Sequence, residues 1–283
     1  KYVCVLLDFK KQIPVDVLPN RKKEYLLNYF QKIPLEERKK VKYACSDMYE
    51  VYRDVVHKVF PCSCMLLDYF HLSQDFHRKM NEVRIKVMKG YKDDKASDEY
   101  YLLKRFNWLL FKNPEDEDKY GRLFDVERER KYNSHFKSYM NYYDLRRKLL
   151  EINNDLTICY SLKLELVDFY SKSTIDNAQV NLENLIRSCI DTNIDEMIAF
   201  SNNLINWKQE IINVGTEYKV EADKGQVVVC NKKVNNAIIE NRNKIIKCIK
   251  NNANGYTNWL RFRNRVMYVL DPNATFSLEP REK

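Results

Sequence analysis

The sequence predicts an α/β chain: a mixed sheet with helices on both faces, interrupted by a large all-α insertion. Three observations carry this. Short apolar runs that end in acids alternate with helical repeats over the first third of the chain. Strand signals then vanish between about residues 97 and 213, where helical spacing dominates. Finally, the chain holds only five glycines and seven prolines, too few for the frequent turns of an all-β sandwich.

Residues 2–8 (Tyr-Val-Cys-Val-Leu-Leu-Asp) read as a buried strand, a continuous apolar run closed by an acid. Residues 13–18 read as a second strand, and Pro14 limits it to an edge or a strand start. Over 21–33, Tyr25, Leu26, Tyr29, Phe30 and Ile33 share one helical face. Residues 41–46 form a third strand stopping at Asp47, followed by a helix to about 59 with Tyr49, Tyr52, Val55, Val56 and Val59 inward. Residues 64–68 form a fourth strand ending in Asp68, followed by a helix over about 72–88. The order β-β-α-β-α-β-α places active-site residues at strand ends. The expected division is 1–92 and 226–270 for the two parts of the sheet domain, 93–225 for the helical insertion, and 271–283 for a frayed tail. An amphipathic helix over 234–251 closes the domain.

The formal charge is +9, from 49 Lys and Arg against 40 Asp and Glu, which suits a polyanionic partner without specifying one. Eight cysteines lie mostly within apolar runs and read as small buried hydrophobes of a reducing compartment. Cys62 and Cys64 lack the matching pair a zinc site needs. No signal peptide is expected, and no apolar run approaches the roughly 20 residues that span a bilayer.

Three acids stand out by position: Asp47 and Asp68 at strand ends, and Glu240 on the late helix. Carboxylates on rigid strand ends suit Mg²⁺, a hard cation that activates water for phosphodiester cleavage. The alternative for Asp47 and Asp68 is helix N-capping, and for Glu240 a solvent-facing position. Glu240, Asn243, Lys244 and Lys247 share one helix face, so a metal-reaching acid and phosphate-reaching lysines are neighbours. Trp259, Arg261, Phe262, Arg263 and Arg265 interleave rings with guanidiniums, which suits backbone contact and base stacking on DNA, although the rings also suit a core.

Residues 41–71 carry Asp47-Met48-Tyr49 with Tyr52, then Phe60-Pro61, then Asp68-Tyr69-Phe70-His71. This block resembles the core of the ISL3 family of bacterial insertion-sequence transposases. Similar stretches recur in order at Leu102–Leu110, Tyr160–Lys163, Asn206–Ile211, Glu240–Lys247, Gly255–Asn258 and Arg261–Arg263.

The resemblance implies a ribonuclease-H-like domain with an Asp-Asp-Glu triad, two Mg²⁺ (or Mn²⁺) ions, and cleavage and strand transfer of DNA. Asp47 and Glu240 are then catalytic and metal-holding, with Asp68 and His71 as accessory residues of underived role. Asn243, Lys244, Lys247, Arg261 and Arg263 are expected to bind DNA. The first acid is expected before residue 1, with Asp8 the lesser candidate within the chain. The implied partners are double-stranded DNA and a second copy, in the bacterial cytoplasm at the nucleoid, with no membrane. The rival readings are a non-catalytic DNA-binding remnant and a helical scaffold for protein partners.

Overall fold

The computed structural model describes residues 3–11, 13–213, 218–221, 227–230 and 237–271, the side chains of 218–221, 227–230, 237 and 238 excepted. The chain divides into two compact units, Lys1–Phe70 with Thr216–Lys283, and His71–Gly215.

The first unit opens on β1 (Cys4–Asp8), paired antiparallel with β2 (Ile13–Leu18). The register shifts between Leu6 and Leu7, where Pro14 stands opposite Leu7. A residue without an N–H cannot continue the ladder, so a bulge there follows from Pro14. Then come α1 (Lys23–Gln31), α2 (Leu35–Lys39), β3 (Tyr43–Ser46), α3 (Glu50–Val59) and β4 (Cys64–Leu67). β3 and β4 pair in parallel, with α3 as their crossover. The unit resumes with a hairpin of β9 (Tyr218–Glu221) and β10 (Val227–Cys230), then α11 (Ala237–Asn252) and α12 (Trp259–Leu270).

Helices cover both faces of the β1–β2 ribbon because successive strand residues point to opposite sides. Leu18 and Cys4 join Leu26, Phe30, Val55 and Val59 in one core. The neighbouring Val17 joins Ile246, Phe262, Val266 and Leu270 in the other, against which Val3 and Val5 also pack. Phe262 and Val266 are therefore core, and Trp259 packs against them. Asp16, between the faces, accepts from Arg263 Nε at 2.6 Å, Tyr29 Oη at 2.7 Å and the Val17 amide at 2.6 Å. The Arg263 guanidinium and the Tyr29 hydroxyl hold its carboxyl below the usual range, outweighing the opposing effect of burial.

The second unit continues α4 (Tyr69–Lys89) into α5 (Asp98–Arg105), a 3-10 turn (Asn107–Phe111), α6 (Tyr142–Glu151), α7 (Asn154–Lys172), α8 (Ala178–Asp191), α9 (Asp195–Asn206) and α10 (Lys208–Ile212). Phe76 and Phe200 meet edge to face with ring centroids 5.0 Å apart in its core. Lys163 is 1% exposed. Its ammonium donates to the carbonyls of Leu110 and Lys112 and lies 4.4 Å from the Tyr160 ring. Burial lowers its pKa to about 7.

Two expectations need correction. The segment read as all-helical also carries two small hairpins, β5 (Glu117–Asp118) with β6 (Gly121–Arg122) and β7 (Lys131–Asn133) with β8 (Ser138–Met140). These strands are two or three residues long, too short for an alternating pattern to register. The single mixed sheet is likewise absent among the described residues, where every sheet is two-stranded. The expected tail falls beyond residue 271, outside the described residues.

Candidate metal centre

The site grows from the β3–β4 pair. Ser46 stands opposite Leu67, and the Asp68 amide donates to the Ser46 carbonyl at 3.0 Å. Asp47 and Asp68 thus follow neighbouring strands at the same end, and adjacent strands run about 4.8 Å apart. Parallel pairing with a helical crossover produces this by construction, since both strands end at one edge and both chains turn there into helices.

The two acids differ in local role. Asp68 Oδ1 accepts the Phe70 amide at 3.3 Å, so it partly supports the first turn of α4, and the residue is 1% exposed. Asp47 does not cap α3, whose N-cap is Tyr49 with no side-chain bond. Asp47 Oδ1 is buried and has no hydrogen-bond partner among the described residues. Such an orphan in a native fold calls for a missing partner. Its surroundings are acidic and apolar. Burial pushes the Cys45 thiol up to about 12, helped by the charges of Asp68 and Asp47. Burial also raises the Cys4 thiol to about 11, where Asp47 acts with it and Arg21 against it.

Glu240 sits half-buried in the first turn of α11. One ligand atom each from Asp68, His71 and Glu240 lie within 4.8 Å of one another. The unit division falls inside the first turn of α4, so His71 stands one helical turn from Asp68 on the same continuous segment. Bonds of about 2.1 Å put neighbouring or opposite ligands of an octahedral cation roughly 3 to 4.2 Å apart, and this spacing admits one ion. Two oxygens and a nitrogen suit Mn²⁺ or Zn²⁺ as well as Mg²⁺, because imidazole is softer than carboxylate. The donor set and the orphaned Asp47 oxygen both fit a divalent cation.

The sequence reading put the metal on Asp47 and Glu240 and left Asp68 and His71 accessory. The structure brings Asp68, His71 and Glu240 together; Asp47 is not in that group and follows β3 at the strand end next to Asp68. The signal was present in the spacing: an Asp just before a helix and a His one turn in present side chains to one point. Asp8 is not in this group, and its Oδ1 accepts the Lys11 amide at 2.9 Å, closing the β1–β2 turn.

Of the expected DNA-binding residues, Lys244, Lys247 and Arg261 are exposed and Asn243 is half-buried. Arg263 is the exception, since its guanidinium is engaged by Asp16. Arg265, the last guanidinium of the same stretch, is exposed one turn beyond Arg261 on α12. No helix among the described residues is long and apolar enough to cross a membrane.

A family model described as a transposase, of the ISL3 group, matches residues 1–266. No curated protein and no solved structure matches the chain.

Proposed function

The chain belongs to the ISL3 transposase family, and on that premise we propose that it cuts and joins DNA strands at a divalent-cation site formed by Asp47, Asp68, His71 and Glu240. The observation that carries this reading is the convergence of Asp68, His71 and Glu240 from distant parts of the sequence, beside a second strand-end carboxylate. Bound there, a divalent cation supplies activation of water or a 3′-hydroxyl and stabilises charge on the scissile phosphate.

The protein's own groups do the rest. Asp68 and Glu240 offer carboxylate oxygens and His71 an imidazole nitrogen. Asp47 offers its buried oxygen from the adjacent strand end, where a second ion would find its ligand. The strand pair fixes the two Asp residues, and α11 carries Glu240. Lys244 and Lys247 follow Glu240 at helical spacing and are exposed, so they suit the phosphates flanking the cut. The parallel strand pair with its crossover helix accords with the sheet-and-helix part of a ribonuclease-H-like domain, and a dimer acting on paired transposon ends accords with the family.

The test is cleavage and joining of a plasmid bearing the transposon ends by the protein from its complete open reading frame. Product is expected with Mg²⁺ or Mn²⁺ and not with EDTA. Asp68→Asn and Glu240→Gln should each lower the rate by at least about a hundredfold, the scale of removing one group that stabilises transition-state charge. Wild-type rates in Glu240→Gln would overturn the assignment. DNA binding with no cleavage under any cation would favour the non-catalytic remnant.

A further inference from the structure

The hairpin of β7 and β8 carries a surface that the site above does not use. Residues 130–143, Arg-Lys-Tyr-Asn-Ser-His-Phe-Lys-Ser-Tyr-Met-Asn-Tyr-Tyr, contain three cations, four tyrosines and no acid. Tyr132 and Tyr139 stand directly opposite each other across the hairpin. They are 58% and 68% exposed, with ring centroids 5.4 Å apart and edge to face.

The hairpin is anchored by its other side chains. Met140, next to Tyr139 and so pointing the other way, is buried. At the tip, the Asn133 carboxamide accepts the His135 and Phe136 amides at 3.0 and 3.4 Å, and Lys137 takes a left-handed conformation at φ 49°. The His135 ring stacks on Tyr101 at 4.0 Å and meets Asp98 at 2.9 Å. At the base, the buried Asn141 amide donates to the carbonyls of Val126 and Arg128, both at 3.1 Å. The Tyr132–Tyr139 face is thus left for something else. Arg130 pairs with Asp144, and Lys131, next to Tyr132 and so on the Met140 side, lies 6.0 Å from the Tyr120 ring; Lys137 at the tip forms no ion pair among the described residues and is exposed.

We propose that this hairpin binds DNA, with Lys137 on a phosphate and Tyr132 and Tyr139 against bases or sugars. An exposed ammonium group at the hairpin tip together with flat amphipathic rings fits a polyanion with stacking surfaces. A protein partner would instead favour an apolar centre with few cations, since lysine is depleted from protein interfaces. The inference rests on the DNA-processing reading only for the origin of the DNA.

The experiment measures binding of a fluorescently labelled duplex of mixed sequence to the full chain across a KCl series. Lys137→Ala should lower the slope of log affinity against log salt by about 1, the unit lost with one phosphate contact. Tyr132→Thr/Tyr139→Thr, which keeps strand propensity, should weaken binding at fixed salt at least about fivefold. Photo-crosslinking of a 5-iodouracil duplex to the unaltered chain needs no variant and should label Tyr132 or Tyr139. Unchanged slope and affinity in both variants, or crosslinks only elsewhere, would overturn the hairpin. Failure here leaves metal-dependent cleavage intact, whereas loss of cleavage with normal hairpin binding strikes the catalytic reading alone.

Discussion

At the residue scale, the half-buried Asp47 and the buried Lys163 make the site and the insertion testable separately. Asp47 and Asp68 lie side by side at parallel strand ends, and two carboxylates without a cation repel. Asp47→Asn removes one charge in nearly the same shape. In EDTA this variant should melt at or above the wild-type temperature. The rise that Mn²⁺ gives wild type should shrink or vanish in it. Differential scanning calorimetry with and without Mn²⁺ measures both, and an undiminished Mn²⁺ response would remove Asp47 from the site. Lys163 gives a pH signature in the other unit. Its folded pKa is lowered from 10.5 to about 7, chiefly by burial. The unfolded chain therefore binds more protons between these values, and stability rises with pH through that window. Between pH 7 and 8.5, below the range of the raised thiols, wild type should gain stability relative to Lys163→Met. A constant difference between the two would contradict the lowered pKa.

At the scale of elements, α12 shows how one helix divides its cations between holding the fold and facing outward. Arg263 ties it to β2 through Asp16, whose side chain is only 10% exposed. Arg263→Ala strips that carboxylate of a partner and should cost about 1–3 kcal/mol in urea denaturation. Arg261→Ala and Arg265→Ala, both exposed, should stay within about 0.5 kcal/mol and weaken DNA binding instead. Equal destabilisation by all three would contradict this division. Strands β1 to β4 and helices α1, α3 and α4 were legible because their signals are local: apolar runs for the strands, and three-and-four spacing for the helices. Arg263 was not, because its partner Asp16 lies at the opposite end of the sequence and no local pattern announces a long-range ion pair. The β5–β8 hairpins escaped for the opposite reason. They are so short that turn geometry and contacts such as Asn141 to the 125–128 carbonyls hold them, with no alternation to read.

At the scale of the whole molecule, the first unit is assembled from both ends of the sequence. Val17 packs with Ile246, Phe262, Val266 and Leu270, and this core brings the last helices to the first strands. The sequence alone could name Asp47 and Glu240 through family resemblance and could mark Asp68 and His71 as a pair without a role. It could not show that Glu240 meets Asp68 and His71, because closeness across the insertion is a product of packing. The central claim is that this packing creates a divalent-cation site. Its most direct measurement is Mn²⁺ binding, followed by electron paramagnetic resonance, to the wild-type chain and to Glu240→Gln. Saturable binding by wild type, weakened at least about tenfold in the variant as for loss of a metal-supporting group, is the expected result. Equal Mn²⁺ affinity in both proteins, or none in wild type, would contradict it.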